Sequence, residues 1–373
     1  MTTVLVSGAS IAGLATTYWL AQQGYSATVV ERHDGPRPGG QAIDVRGPAL
    51  SILARMNLLE AAEDKKTRIR GASFVDCDGN ELSRDTESTP TGGVIDNPDI
   101  EILRDDLVDA LLGSLDGDVE FIFGDSIVGL DDRGDAVAVS FERADARDFD
   151  MVVGADGLHS NVRRLTFGPE EQFIKPLGIF LAIFTVPNFL HLDYWQMFHQ
   201  GETSMAGVYS ARDNSEARAM LAFTDSGLDI DYRDIAMQFT ELDRRTSDDG
   251  WVRPQLLEYM RTAPDFYFDG LAQIIMDRWA QGRVGLVGDA AHCTSPMSGQ
   301  GTSLALLGAY ILAGELAAAG GDHRRGFANY DATFRGYVER NQRLVDDDEG
   351  FDGAPLARDD FYRVVHSIEP KDY

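Results

Sequence analysis

Cysteine is almost missing: Cys77 and Cys293 are the only two in 373 residues. So widely separated a pair excludes a disulfide framework, and without a C-x-x-C motif it excludes disulfide-reductase chemistry. A reducing cytoplasm is the expected compartment. Metal-ligand spacing is missing as well, because neither the seven histidines nor the cysteines recur at separations that build a zinc site. No metal is expected. No run approaches the roughly 20 apolar residues of a membrane span, and the N-terminus lacks the basic-then-apolar order of a signal peptide. Positive charge is scarce: 33 Lys and Arg against 61 Asp and Glu leave a formal net charge of −28. That balance argues against nucleic acid and anionic membrane surfaces as partners. These absences leave small molecules as the expected partners; a monomer is expected.

Against these absences stands a chain that is 43% hydrophobic and long enough to bury a sizeable core. The stretch from Gly285 to Leu316 organises it. An apolar strand, Val284–Val287, turns through Gly288-Asp289, crosses a Pro/Ser/Gly loop and enters a long apolar helix near Gly299-Gln300-Gly301. A helix N-terminus presents unpaired N–H groups and a positive dipole end, and glycines there let a flat or anionic ligand approach the backbone. Asp289 can accept hydrogen bonds from sugar-like hydroxyls. This is half of a site for a large, hydroxylated, partly anionic cofactor.

The N-terminus supplies the other half. The strand Thr3–Ser7 leads into Gly8-Ala9-Ser10-Ile11-Ala12-Gly13, a helix to about Gln23, and a second strand, Ser26–Val30, ending in Glu31-Arg32. This βαβ unit carries Gly-x-Ser-x-x-Gly at its first turn and an acid about 20 residues later, the order of a dinucleotide-binding fingerprint. A third signal, the buried-type strand Phe149–Val153, closes on Gly154-Ala155-Asp156-Gly157. The expected fold is α/β: a Rossmann-like cofactor domain with an inserted antiparallel-sheet domain and C-terminal helices. Expected boundaries are 1–167 plus 277–320 for the cofactor domain, with a hairpin excursion at 69–100. Residues 168–276 form the insert, and 321–373 form a C-terminal helix and an irregular tail. Helical spacing predicts single helices over 49–63 and 101–115.

In this order and spacing the three signals closely resemble the class A FAD-dependent aromatic monooxygenases, the para-hydroxybenzoate hydroxylase-like family, over nearly the whole chain. Within that family, Gly39–Gly47 (GGQAIDVRG), Glu101-Ile102-Leu103-Arg104, Asp265–Asp269 (DFYFD) and Ser298–Gly301 resemble the tetracycline-inactivating flavin monooxygenases. The resemblance implies FAD as cofactor, NADPH or NADH as transient reductant, and O2 with an aromatic small molecule as substrates. Gly8, Ser10, Ile11, Ala12 and Gly13 would hold the pyrophosphate, Glu31 the adenosine ribose, and Arg32 would lie beside adenine. Ile127 would contact adenine through its backbone, and Arg104 would reach the ribityl–pyrophosphate region. Asp156 and Gly157 would assist FAD and nicotinamide contacts, and Asp289 would hold ribityl oxygens. Ala42, Pro296, Gly299, Gln300, Gly301 and Thr302 would line the ring system.

The implied reaction is hydroxylation of a phenolic or enolic polycycle, a tetracycline among them, through a C4a-hydroperoxyflavin. Arg46 would stand near the reactive face as the catalytic cation. No protein nucleophile is needed, and His292 reads as structural. Phe184, Tyr194, Met205, Phe223 and Tyr267 are the candidate substrate walls. Two rivals stay open: another oxidoreductase reaction on the same fold, and a flavin-dependent aromatic-ligand-binding protein without turnover. The Trp-x-Trp-x-Ile-Pro pattern of flavin halogenases is absent.

Overall fold

The structure is a computed structural model and describes residues 1–345 and 358–373, apart from 116, 118, 229 and 247–249. The acidic run at 346–349 and the first part of the expected tail lie outside the described residues.

Apolar residues on both faces mark strands buried on both sides, and these build a six-stranded sheet. Its order is Ala280–Gln281, Val284–Leu286, Met151–Gly154, Thr3–Ser7, Ser26–Glu31 and Glu120–Phe123. All pairings are parallel except that of the short outer strand Ala280–Gln281. Ser7 lies opposite Gly154, and Gly154 opposite Leu286. Three motifs far apart in the chain therefore end side by side on one edge of the sheet.

A seven-stranded sheet forms the second layer. Its order is Tyr267–Ile274, Ile174–Val186, Glu216–Thr224, Ser204–Ala211, Gln196–Gln200, Ala72–Val75 and Glu81–Asp85. Five of the strands belong to the insert. The last two come from the hairpin at 69–100, and Ala72–Val75 joins Gln196–Gln200 in parallel. Helices Ile235–Thr246 and Arg253–Met260 cover one face of this sheet over a core that includes Phe180, Phe184, Leu221, Phe223 and Leu256.

Helix Gly301–Ala318 is the spine of the first layer. By length and composition alone it could cross a membrane, which the residue pattern did not suggest, yet 83% of that window is buried inside the fold. Its hydropathy is that of a core helix wrapped by Ile11–Gln22, Pro48–Arg55 and His323–Gln342.

Periodicity misreads three elements. Residues 49–63 split into Pro48–Arg55 and Leu59–Asp64, because Asn57 takes a left-handed φ of 58° that interrupts the helix. Glu101–Leu103 is strand, paired antiparallel with Ala42–Val45, and helix begins only at Arg104. Residues 358–365 of the expected irregular tail form a helix whose Val365 is buried.

Candidate functional site

The turn after the first strand is built for close backbone approach. Gly8 has φ 104°, and a Cβ there would lie 2.6 Å from the Ala155 carbonyl. A Cβ on Gly13 would lie 1.9 Å from the Gly8 carbonyl, so helix and turn can meet only without a side chain. Helix Ile11–Gln22 starts at Ser10 with no side-chain cap, and helix Gly301–Ala318 starts at Gln300 with none either. Their leading N–H donors are left for a ligand. Thr302 is buried in the first turn of the second helix, while Pro296 in the approach loop is exposed.

Polar groups converge on the same cleft. Glu31 accepts the Ala9 N–H at 2.8 Å and the His33 N–H at 3.0 Å, which fixes the carboxylate beside the turn. Arg32 next to it is exposed. Asp289 leads the short helix Asp289–His292 and keeps solvent-accessible surface although protein surrounds it, as expected of a group on the floor of a cleft. Burial raises its carboxyl above the usual range, against a hydrogen bond with Cys293. Gln300 is fully buried, yet neither its amide oxygen nor its amide nitrogen has a protein partner. An orphaned amide at an uncapped helix start fits a planar ligand with complementary donors and acceptors. Arg104 donates to the carbonyls of Arg37 (2.6 Å) and Gly39 (2.8 Å), while its buried Nε has no partner. Burial, then the neighbouring Arg37, lowers its guanidinium to about 10.

Asp156 is engaged elsewhere. Its carboxylate accepts from Ser160 Oγ at 2.5 Å and from the N–H groups of Asn161 and Val162, which starts helix Asn161–Phe167. The Asn161 amide in turn donates to the Ile127 carbonyl. The Asp156 side chain therefore shapes the turn, and Gly157, with φ 81°, continues it.

Arg46 is buried beside the approach loop. Its Nη2 meets Asp44 at 2.8 Å and the Gly92 carbonyl at 2.9 Å, and its Nη1 lies 3.5 Å from Asp99. A Cβ on Gly299 would come within 3.5 Å of Nη2, so the guanidinium abuts the glycine loop. Ser303 Oγ accepts the Arg46 N–H at 2.9 Å, tying this strand to the spine helix. Burial pushes the Asp44 carboxyl up to about 7, against the pull of Arg46.

Strand alternation sorts the candidate substrate walls. Phe184 and Phe223 point to the helix-covered face and are 0% and 1% exposed in its core, so they line no cleft; the correction follows from register, which composition does not reveal. Tyr194 also departs from expectation. It sits in a turn with φ 50°, its hydroxyl on Asp213 at 3.1 Å, at the end of the sheet. Met205 shares parity with Tyr209, which faces away from those helices and accepts the Ala42 N–H at 3.0 Å. Tyr267 packs under the Arg37 guanidinium at 5.1 Å, with its hydroxyl on Asp269 at 3.0 Å.

Several residues of the site gave no signal in the sequence. Arg218, 1% exposed, donates to the Gly40 carbonyl at 3.1 Å, so it and Tyr209 pin the Gly39–Arg46 loop against the second sheet. Gln196 is fully buried and donates to Thr91, whose hydroxyl reaches Glu101 at 2.6 Å. His159 lies between Glu170 (2.7 Å) and Asp269 (3.1 Å); those carboxylates overcome burial and raise its imidazole to about 9. Only the alternation of the strands could have found Gln196 and Arg218. The structural expectation for His292 holds: it is buried against Trp279 and Phe334, bonds the Tyr330 hydroxyl at 3.1 Å, and burial lowers it to about 3.

Comparison with known proteins agrees with this geometry. A family described as "FAD binding domain" matches residues 1–333. An uncharacterised protein of Mycobacterium tuberculosis is 68% identical, with all of both chains covered. A flavin-dependent monooxygenase of Legionella longbeachae is 38% identical over 91% of this chain and 87% of its own. The crystal structure of the tetracycline destructase Tet(51) superposes with a TM-score of 0.90 at 33% identity, covering all of both chains. With a cleft that fits FAD and relatives on this scale, the chain belongs to the FAD-binding-domain family of flavin-dependent monooxygenases.

Proposed function

We propose that this monooxygenase takes its electrons from NAD(P)H and hydroxylates a phenolic or enolic polycycle, with tetracyclines the first class to test. The observation that carries the reading is a buried cation, Arg46, packed against the Gly299 loop, with the Phe361 ring 5.5 Å from its guanidinium. The likeness to the tetracycline destructase Tet(51) supports the substrate class.

Bound FAD supplies the oxygen-activating chemistry, and this chain's residues hold, orient and shield it. In this reading the Gly8–Gly13 turn and Arg104 grip the diphosphate, Glu31 the ribose and Asp289 the ribityl chain. Ala42, Pro296 and Gly299–Thr302 meet the ring, with Gln300 pairing its polar edge. Arg46 would supply the positive charge that stabilises an anionic substrate held beside the Gly299 loop. Its field is tempered by Asp44 and Asp99. Protonation of Asp44, whose carboxyl titrates near 7, leaves the cation less neutralised. The seven-stranded sheet, with Met205 and Tyr267 on its near side, roofs the site and keeps water out.

The test is direct. Purified protein carries a yellow flavin spectrum, and tetracycline or another electron-rich polycycle accelerates NADPH or NADH oxidation with a hydroxylated product. Folded protein that stays colourless after incubation with FAD refutes the reading. Bound flavin with no stimulation by any polycycle supports a binding protein without turnover.

A further inference from the structure

Glu315 lies near the end of the spine helix, 3% exposed, and takes no part in the chemistry above. A carboxylate there is opposed by the helix dipole and is costly to bury, so its partners must compensate. Thr333 Oγ1 donates weakly at 3.4 Å, and the closer partners come from the end of the chain. Lys371 Nζ lies at 2.5 Å and the Tyr373 hydroxyl donates at 2.8 Å. Burial would raise the Glu315 carboxyl, but the Lys371 ammonium and the Tyr373 hydroxyl hold it below its usual range. Gly314 is the notch for the terminal ring, since a Cβ there would lie 2.2 Å from Tyr373. The Tyr310 hydroxyl adds a bond to the Lys371 carbonyl at 2.8 Å.

The same terminal segment begins with the helix Arg358–Val365, which reaches the site. The Phe361 ring lies 5.5 Å from the Arg46 guanidinium. Val365 closes on Gly47, where a Cβ would come within 2.8 Å of it. One end of the segment is therefore seated beside Arg46 and the other on Glu315.

We propose that Glu315 is a positioning residue for the substrate end of the cleft: by gripping Lys371 and Tyr373 it holds Phe361 over Arg46 and fixes the wall that a ring substrate meets there. This rests on the reading that substrate reaches Arg46. The residues that hold FAD lie elsewhere, so loosening the grip weakens substrate binding without releasing flavin.

The experiment compares wild type with Tyr373→Phe, which removes one donor and keeps the ring, with Glu315→Gln, and with a chain shortened by residues 369–373. Tryptic cleavage after Arg363, iodide quenching of bound-flavin fluorescence, and KM and kcat for tetracycline are measured on the full FAD-loaded proteins. Losing one hydrogen bond raises the open population, and with it cleavage, by about 3- to 10-fold. KM and quenching rise in the same order of variants, with kcat and flavin content nearly constant. Equal cleavage across all four proteins overturns the proposal, as does faster cleavage with unchanged KM and quenching, which marks a structural tie alone. If Glu315→Gln does not fold, Tyr373→Phe decides. Wild type that binds no FAD defeats the functional reading, whereas the cleavage comparison still tests the grip.

Discussion

The two sheets carry function in different places. In the parallel sheet the candidate site sits at the strand ends, where Ser7, Gly154 and Leu286 align. In the seven-stranded sheet it sits on a face, where alternate side chains such as Tyr209 and Arg218 point toward the cleft. Ends are set by turns, and turns need particular residues. A face is set by register, which a single residue does not announce. The first region therefore tolerates few changes at few positions, and the second tolerates many changes on one side only.

The largest expected effect attacks an end. Gly13→Val forces a side chain into the Gly8 carbonyl, 1.9 Å from the new Cβ. A loss of roughly 3 kcal/mol or more and of flavin retention is expected, read by thermal melting and by the absorbance of bound flavin. Retained colour and melting temperature would break the distinction between ends and faces. Next comes a pair on the second sheet. Phe223→Ala hollows the helix-side core and costs about 3–5 kcal/mol of stability, measured by urea denaturation. Met205→Ala, on the near side of the adjacent strand and only half-buried, costs about 1 kcal/mol or less and changes tetracycline KM instead. If both act on stability alone, the two faces are equivalent and the pocket lies elsewhere.

Asp289→Ala removes a carboxylate from the cleft floor and weakens FAD binding by about 1–3 kcal/mol, as titrated by flavin fluorescence. Full flavin occupancy would deny it the role. The smallest effect concerns the joint between the regions, where His159 meets Glu170 and Asp269. Its imidazole is raised to about 9 in the folded chain from the ordinary histidine value of about 6.5. The stabilisation is fully present below about 6.5 and is lost as pH rises through about 9. His159→Gln should therefore cost roughly 1–2 kcal/mol at pH 6 and very little at pH 10, in denaturation curves across that range.

Most of the cofactor end was legible. Gly8, Gly13, Glu31, Asp289 and Gly299–Gly301 are punctuation whose geometry admits few alternatives, and they converge as their residue types require. Asp156 shows the limit, because a carboxylate in a glycine turn can face a ligand or start the next helix, and here it starts the helix. Arg46 lies against the Gly299 loop, but its carboxylate partner Asp99 was not legible, because burial of an ion pair leaves no trace in spacing. The substrate face was poorly legible. Phe184 and Phe223 stand out as aromatic residues of the insert, and parity sends both to the opposite side. Glu101–Leu103 reads as the start of a helix because the apolar positions that follow, among them Leu107, Val108, Leu111 and Leu115, dominate the period, and only pairing with Ala42–Val45 makes it a strand.

The strand Val284–Leu286 belongs to the last quarter of the polypeptide, yet it sits next to Met151–Gly154, which pairs with the first strand. During synthesis the strand Met151–Gly154, already paired with Thr3–Ser7, must wait, one flank bare, until nearly three hundred residues have left the ribosome. A translation product that stops before Val284 has no hydrogen-bonding neighbour for that flank and no Asp289 to finish the cleft. Prosthetic-group capture is therefore a late event, and incomplete chains, with apolar strand edges showing, are natural clients for chaperones and proteases.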